Sequence, residues 1–363
     1  MDFQLSDDQR ALRSGMRDLL GAVFDRDRLR AAVERDGALD RSLWRELGAA
    51  GFFALRLPEE AGGVGLGLPE AVLLFEEAGR ALLPGPLVAT HLTAGLVKGA
   101  AEGEAVVTAV AGELPVAHLA EADAVLVVGA EPPAGEATGA ESLTGEALRA
   151  FVAAARPVRS MDPLTPLHSA RAVAERPPEV SVRTRADAER APAATERTPA
   201  HAGRFRFEAA LLTAAEQLGS AARTTEAAVQ HAGSREQFGS PVGAFQAVKH
   251  LCADMLARTE PARAAVYAAA VTGDPVEIAA AKLLADEAAV RNARDCLQIH
   301  GGMGFTWEAD VHLHLKRAWL RAASWLTGAG AEELLAADLG AAGRLPRSSA
   351  APGRPVPEAG GGG

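Results

Sequence analysis

Cysteine is nearly absent from this chain, Cys252 and Cys296 being the only two. Neither belongs to a CxxC pair or stands at ligand spacing from a histidine, which excludes a disulfide framework and a zinc site and fits a reducing cytoplasm. Positive charge is also short, with 37 Lys and Arg against 47 Asp and Glu and a formal net charge of -10. Gripping nucleic-acid phosphates takes dense Lys and Arg surfaces, so nucleic acid is not an expected partner. Long apolar runs are missing too: no stretch approaches the roughly 18 residues of a membrane span. The start Met1-Asp-Phe-Gln-Leu-Ser6 lacks a basic leader and an apolar stretch, so neither secretion nor membrane insertion is expected. His312 and His314, spaced i, i+2, do not share a helix face and make a poor metal pair, and no metal is expected.

What is present is a chain of 363 residues, 48% hydrophobic and 23% charged, long enough to bury a substantial core in two or three units. From Ser6 to about Val97 the pattern is helical. Ser6-Asp-Asp-Gln9 has capping-box form, and Asp40 caps a helix through Leu47. Leu57 to Gly67 carries four glycines and reads as a tight loop, after which Pro69 opens a helix through Glu76, Glu77 and Gly79.

From about Gly103 to Val182 the character changes. Val106–Val110 and Ala124–Val128 read as strands, with Val158–Asp162 and Ala170–Val173 as weaker ones and a loop over Glu131–Glu146. Pro177 to Ala202 reads as a solvated connection. Beyond Glu208 the helical period returns in three stripes: Leu211, Ala215, Leu218, Ala222; then Val248, Leu251, Cys252, Met255; then Ile278, Ala281, Ala285, Ala288. The expected fold is mainly α with a small, shortened β domain. An N-terminal helical domain (1–100) precedes the small β domain and linker (101–200), a C-terminal four-helix bundle (203–340) and a disordered tail (341–363).

The most telling residues lie in the bundle. Arg235-Glu-Gln-Phe-Gly239 is followed by Gln246 and His250, and later by Gln298-Ile-His-Gly-Gly302. A guanidinium fork, two amides and a bare Gly-Gly turn at helix ends suit an extended anionic cofactor held by charge and close backbone approach. Singly, Arg235 reads as a surface arginine, Phe238 as core and Gly301-Gly302 as a turn; together they read as one binding motif. His250 and His300 read as packing or capping residues.

With these motifs, Phe245-Gln-Ala-Val-Lys-His-Leu-Cys-Ala-Asp-Met255 and the helical, β, helical order, the chain resembles the acyl-CoA dehydrogenase family. The likeness is clearest from Leu211 to Ala318. It implies FAD as cofactor, with Arg235 on the pyrophosphate, Phe238 near the adenine, Gln246 as an amide contact, and Gln298, Ile299, His300, Gly301 and Gly302 closing on the ADP portion across a subunit interface. It further implies an acyl-CoA substrate, a homo- or hetero-tetramer with a related subunit, and an electron-acceptor flavoprotein.

Two departures from the family pattern stand out. The Thr-Glu-Pro and Gly-Ser-Asp type segment that lies against the flavin ring is not found between Leu87 and Ser181. The family's catalytic Glu, expected near Trp325, is missing as well: from Val311 through Ala331 there is no Asp or Glu. A second family position for the base registers on Ala209, which makes neighbouring Glu208 the candidate for taking the α-proton. Three readings stay open at this point: an FAD-dependent acyl-CoA dehydrogenase, a catalytically silent subunit that completes the flavin site of a related chain, and a cofactor-free helical interaction protein.

Overall fold

The computed structural model describes residues 4–111, 114–128, 141–170 and 200–342. Five helices come first: α1 (Asp7–Val23), α2 (Arg26–Glu34), α3 (Arg41–Ala49), α4 (Leu68–Arg80) and α5 (Leu87–Thr93). Their starts follow local chemistry. Ser6 accepts from the Gln9 amide and Gln9 reciprocates, each at 3.1 Å, and Asp40 accepts from the N–H groups of Ser42 and Leu43.

A small mixed unit follows. Strand β1 (Val107–Ala111) pairs in parallel with β3 (Ala124–Val128), which pairs antiparallel with β4 (Glu141–Leu143). Strand β2 (Val116–Ala117) joins β6 (Leu167–Ser169), and β6 joins β5 (Arg156–Val158). The first two strands stand where the sequence places them. Of the weaker expectations, Val158–Asp162 meets strand β5 only at Val158, and Ala170–Val173 falls, beyond Ala170, outside the described residues; helix α6 (Gly145–Ala154) occupies a stretch for which the sequence reading has no element. The connection over Pro177–Ala202 and the tail from 343 fall outside the described residues, save that helix α7 already begins at Ala200.

Helices α7 (Ala200–Ser234), α8 (Gln246–Thr272), α9 (Pro275–His300) and α10 (Val311–Ala322) form the bundle, with α11 (Gly328–Ala342) behind them. Ile278, Ala281, Ala285 and Ala288 are all buried, as the helical stripe requires. The N-terminal helices share one core with the bundle: Trp44, Phe52 and Phe75 belong to the same cluster as Leu211, Leu218 and Ala281. The β unit has its own core around Val110, Val125 and Phe151.

Two contacts set the relation of these parts. Helices α4 and α7 cross backbone against backbone, since a Cβ on Gly79 would lie 2.0 Å from the Glu216 carbonyl oxygen and one on Gly219 would lie 1.8 Å from that of Glu76. Glycine serves here because no side chain fits, not because of φ. Around the crossing, buried carboxylates of α4 reach outward: Glu77 takes a two-pronged ion pair from Arg17 of α1, and Glu76 accepts from Arg263 and from the Tyr267 hydroxyl of α8. The second contact is Arg317 of α10, which donates to the fully buried Asp162 of the β unit and, at 3.1 Å, to the Leu83 carbonyl of the N-terminal helices.

Gly219→Ala is expected to destabilise the fold by about 1–3 kcal/mol through overpacking. Gly203→Ala on the same helix, where nothing lies within 4 Å, should instead gain about 0.5–1 kcal/mol of helix propensity. Denaturant unfolding of both variants checks this, and equal effects would remove the crossing as the cause.

Candidate active site

At the far end of the bundle the chain builds a compact surface from two helix ends. Helix α7 stops at Ser234 and enters a hairpin of β7 (Glu236–Gln237) and β8 (Ser240–Pro241), whose two turn residues Phe238 and Gly239 have φ of 54° and 81°. Positive φ at both positions is the geometry that matches strand twist in a two-residue hairpin. Glycine adopts it freely, but phenylalanine does so at a cost of about 1–2 kcal/mol. The Phe238 ring is nonetheless 93% exposed, held edge-on to Phe245. Strain of this kind persists where a site requires it.

Helix α9 ends nearby at His300, whose ring stacks on His231 of α7 with centroids 4.0 Å apart while its Nδ1–H donates to the Cys296 carbonyl. That stack joins the ends of α7 and α9, from which the segments bearing Arg235 and Gln298 to Gly302 continue. Arg235, Phe238, Gln246, Gln298, Gly301 and Gly302 are all exposed. Ile299 is buried and His300 is spent on its stack, so these two present main chain rather than side chain.

The donor set fits an extended diphosphate. Helix α8 begins at Gln246 with no side-chain cap, leaving its first N–H groups for an anion. Gly301 has φ of 60°, but Gly302 has no such need and, its chain neighbours apart, no atom of the described residues within 4 Å of a built Cβ. Bare main chain facing open space is what a closely approaching ligand requires.

The second region is a cavity of about 160 Å³ where all three units meet. Leu87 at the start of α5, Thr108 of β1, Thr213 and Glu216 of α7, and Arg317, Arg321 and Trp325 of α10 and its end line it. Helical spacing explains the grouping: Thr213 and Glu216 are i, i+3, and Arg317 and Arg321 are i, i+4, each pair on one face. Arg321 Nη2 donates to Glu216 Oε1 at 2.7 Å. Burial pushes the Glu216 carboxyl above the usual range despite the nearby charges of Arg321 and Arg317. The same burial lowers Arg321 to about 10. Arg317 Nη2 and Arg321 Nη1 are buried with no acceptor among the described residues.

Glu208, the base expected from the sequence, is placed differently. Its carboxylate is shared between Arg56 and Arg204, each at 2.8 Å, and it does not line the cavity. Burial acts to raise its pKa, but the two guanidiniums prevail and hold it below the usual carboxylate range. A base that takes a weakly acidic α-proton needs the opposite shift. His314 is buried and bonded to the Ser220 hydroxyl at 2.8 Å, and no metal-binding cluster exists among the described residues. The sequence reading missed Glu216, Arg317 and Arg321 as functional residues. Their one visible signal is a charged residue set within an otherwise apolar helical face.

A helical, β, helical chain with a dinucleotide-type donor set on its bundle is the class of a flavin-dependent oxidoreductase, and comparison with known proteins names the family. Residues 6–102 match the acyl-CoA dehydrogenase N-terminal domain and residues 203–343 the acyl-CoA dehydrogenase C-terminal domain. The chain belongs to the acyl-CoA dehydrogenase family, whose members are FAD-dependent oxidoreductases. It is 35% identical over 301 residues to acyl-CoA dehydrogenase IpdE2 of Mycobacterium tuberculosis, covering 80% of this chain and 84% of that protein. It is 36% identical over 345 residues to acyl-CoA dehydrogenase FadE34 of the same organism, covering 86% of this chain but 46% of that protein. Among solved structures, the ChsE4-ChsE5 complex from Mycobacterium tuberculosis superposes with a TM-score of 0.72 at 22% identity, over 95% of this chain and all of the matched one, 100%. Among the described residues, no helix is long and apolar enough to cross a membrane.

Arg321→Met is expected to cost about 3–5 kcal/mol of stability at neutral pH, because it strands the Glu216 carboxylate without its partner. The cost should shrink on acidification. A raised folded-state pKa favours the neutral carboxyl, so its contribution is full below the ordinary carboxylate range and is lost as pH rises. Unfolding measured at several pH values checks the sign.

Proposed function

We propose that this chain takes part in the α,β-dehydrogenation of an acyl-CoA thioester, with FAD held at the bundle end and the acyl group in the three-unit cavity. The single observation that carries the reading is the His231–His300 stack, which joins the two helix ends from which the segments bearing Arg235 and Gln298 to Gly302 continue. Arg235 offers a planar donor fork to the pyrophosphate, Gly301 and Gly302 allow close backbone approach, Gln246 and Gln298 offer amides, and Phe238 offers an exposed ring to the adenine. FAD, when bound, accepts the hydride that leaves Cβ of the thioester. The chain's own residues orient the acyl group, exclude water and receive the α-proton. Electrons then pass to an electron-acceptor flavoprotein.

A tetramer, of like or unlike chains, completes the flavin site in this reading. The empty stretch from Val311 to Ala331 and the doubly paired Glu208 favour a second form of it, in which this chain completes the flavin site of a related subunit that owns the base. One solved structure of the same fold is a complex of ChsE4 with ChsE5.

Arg235→Ala should weaken FAD retention by about 1.5–3 kcal/mol, the worth of a charge-assisted phosphate contact. Flavin absorbance of the purified variant, alone and co-expressed with a related chain, measures it. Occupancy equal to that of the unaltered protein would overturn the assignment of Arg235. Failure of any acyl-CoA to bleach the flavin in either preparation would overturn the proposed reaction.

A further inference from the structure

Among the described residues, the cavity where the three units meet is lined by one carboxylate, that of Glu216. Its place is set by the backbone crossing, since the Glu216 carbonyl sits against Gly79 and the side chain turns from the adjoining face of α7 toward α10. Arg321 engages Oε1, and no described residue hydrogen-bonds Oε2. One oxygen is therefore oriented by a guanidinium while the other keeps its lone pairs for a guest. Two unpartnered donors in the cavity wall suit a ligand bearing oxygen. Buried N–H groups almost always find an acceptor, yet Arg317 Nη2 and Arg321 Nη1 have none among the described residues. An oxygen from outside the chain would satisfy them, and a thioester carbonyl supplies one. At about 160 Å³ the space is similar to cavities that hold a benzene-sized guest, which suits part of an acyl chain.

Resting on the reaction proposed above, we propose that Glu216, rather than Glu208, takes the α-proton, with Arg317 and Arg321 donating to the thioester oxygen. The Cα–H bond breaks and its proton goes to Glu216 Oε2. The electron pair left behind forms the Cα=Cβ bond, and the Cβ hydride leaves for FAD, the oxidant of the family's reaction. A neutral carboxylic acid, reduced flavin and enoyl thioester result, so atoms and charge balance. Donors held at the carbonyl oxygen stabilise the charge that gathers there as the proton departs. Burial of Glu216 suits the role because it makes the carboxylate a stronger base than one in water.

The test separates proton transfer from dehydrogenation. A 3-thia-acyl-CoA carries sulfur at the β position, so no hydride can leave, while its α-hydrogens still exchange with deuterium oxide when a base removes them. The assembled holoprotein is expected to catalyse this exchange, read by proton NMR. Glu216→Gln should slow it by about 10²- to 10⁴-fold, the usual worth of a general base, while flavin content and thioester binding persist. Glu216→Asp should retain part of the rate. Should the glutamine variant fail to fold, the aspartate variant decides. Exchange lowered at least about tenfold per folded, thioester-bound molecule supports a base, whereas exchange that merely tracks the folded fraction overturns it. Full exchange by Glu216→Gln together with loss in Glu208→Gln would overturn the proposal and return the role to Glu208. Loss of flavin alone from the arginine variant Arg321→Lys, with exchange per bound flavin unchanged, would overturn the part given to Arg321. Absence of exchange and turnover in the unaltered assembly would instead defeat the dehydrogenase reading itself.

Discussion

The close approach of α4 to α7 governs most of what this molecule does. Two glycines, Gly79 and Gly219, let the helix backbones meet with no side chain between them. At that distance the residues beside the glycines have nowhere to go but around the contact. Glu76 and Glu77 are therefore driven into the interior, where Arg263, Tyr267 and Arg17 meet them, and Glu216 is driven toward the space beneath α10. A carboxylate in such a position is costly unless something answers its charge. Each of the three is answered by an arginine from a different helix, so the packing constraint also dictates which elements are tied together.

The two functional regions differ in how they are made. The bundle end is assembled from main chain and from tips of side chains on the surface, and its parts come from the α7–α8 and α9–α10 breaks, with the α8–α9 break between them in sequence. The cavity is assembled from buried side chains of α7 and α10, from the start of α5 and from the first β strand. The surface region can therefore be completed by a neighbouring molecule, whereas the cavity, among the described residues, leaves two N–H donors and the Glu216 Oε2 for a guest. An enzyme that shares a dinucleotide between subunits while keeping its acid–base chemistry within one of them would be built in this way.

Much of this was legible in the residues, and the reasons are local. The capping box at Ser6, the Asp40 cap, the Pro69 start and the alanine stripes of α7 and α9 depend on neighbours in sequence, and they stand as expected. So do β1 and β3, whose β-branched runs are bounded by turn residues. Strand β5 is displaced because a three-residue strand takes its register from a partner rather than from its own pattern. Helix α6 was overlooked although Leu148, Phe151 and Val152 repeat at helical spacing, since the Gly- and Pro-rich stretch before it masked its start. Glu216 was illegible for a different reason. Nothing within one turn of it distinguishes a carboxylate facing water from one facing a cavity, and the difference is made by Gly79, far away in sequence. Glu208 misled in the opposite sense: it adjoins Ala209, the position on which a family base registers, but Arg56, remote in the chain, pairs with its carboxylate.

The guanidinium of Arg317 touches the β unit through Asp162 and the N-terminal helices through the Leu83 carbonyl, while its own backbone belongs to the bundle. No one of the three units can depart without leaving an ion or a polar group stranded in the interior of the other two. Such a rivet converts separate modules into a single cooperative body, so calorimetry should record one melting event for the protein rather than a succession of domain transitions.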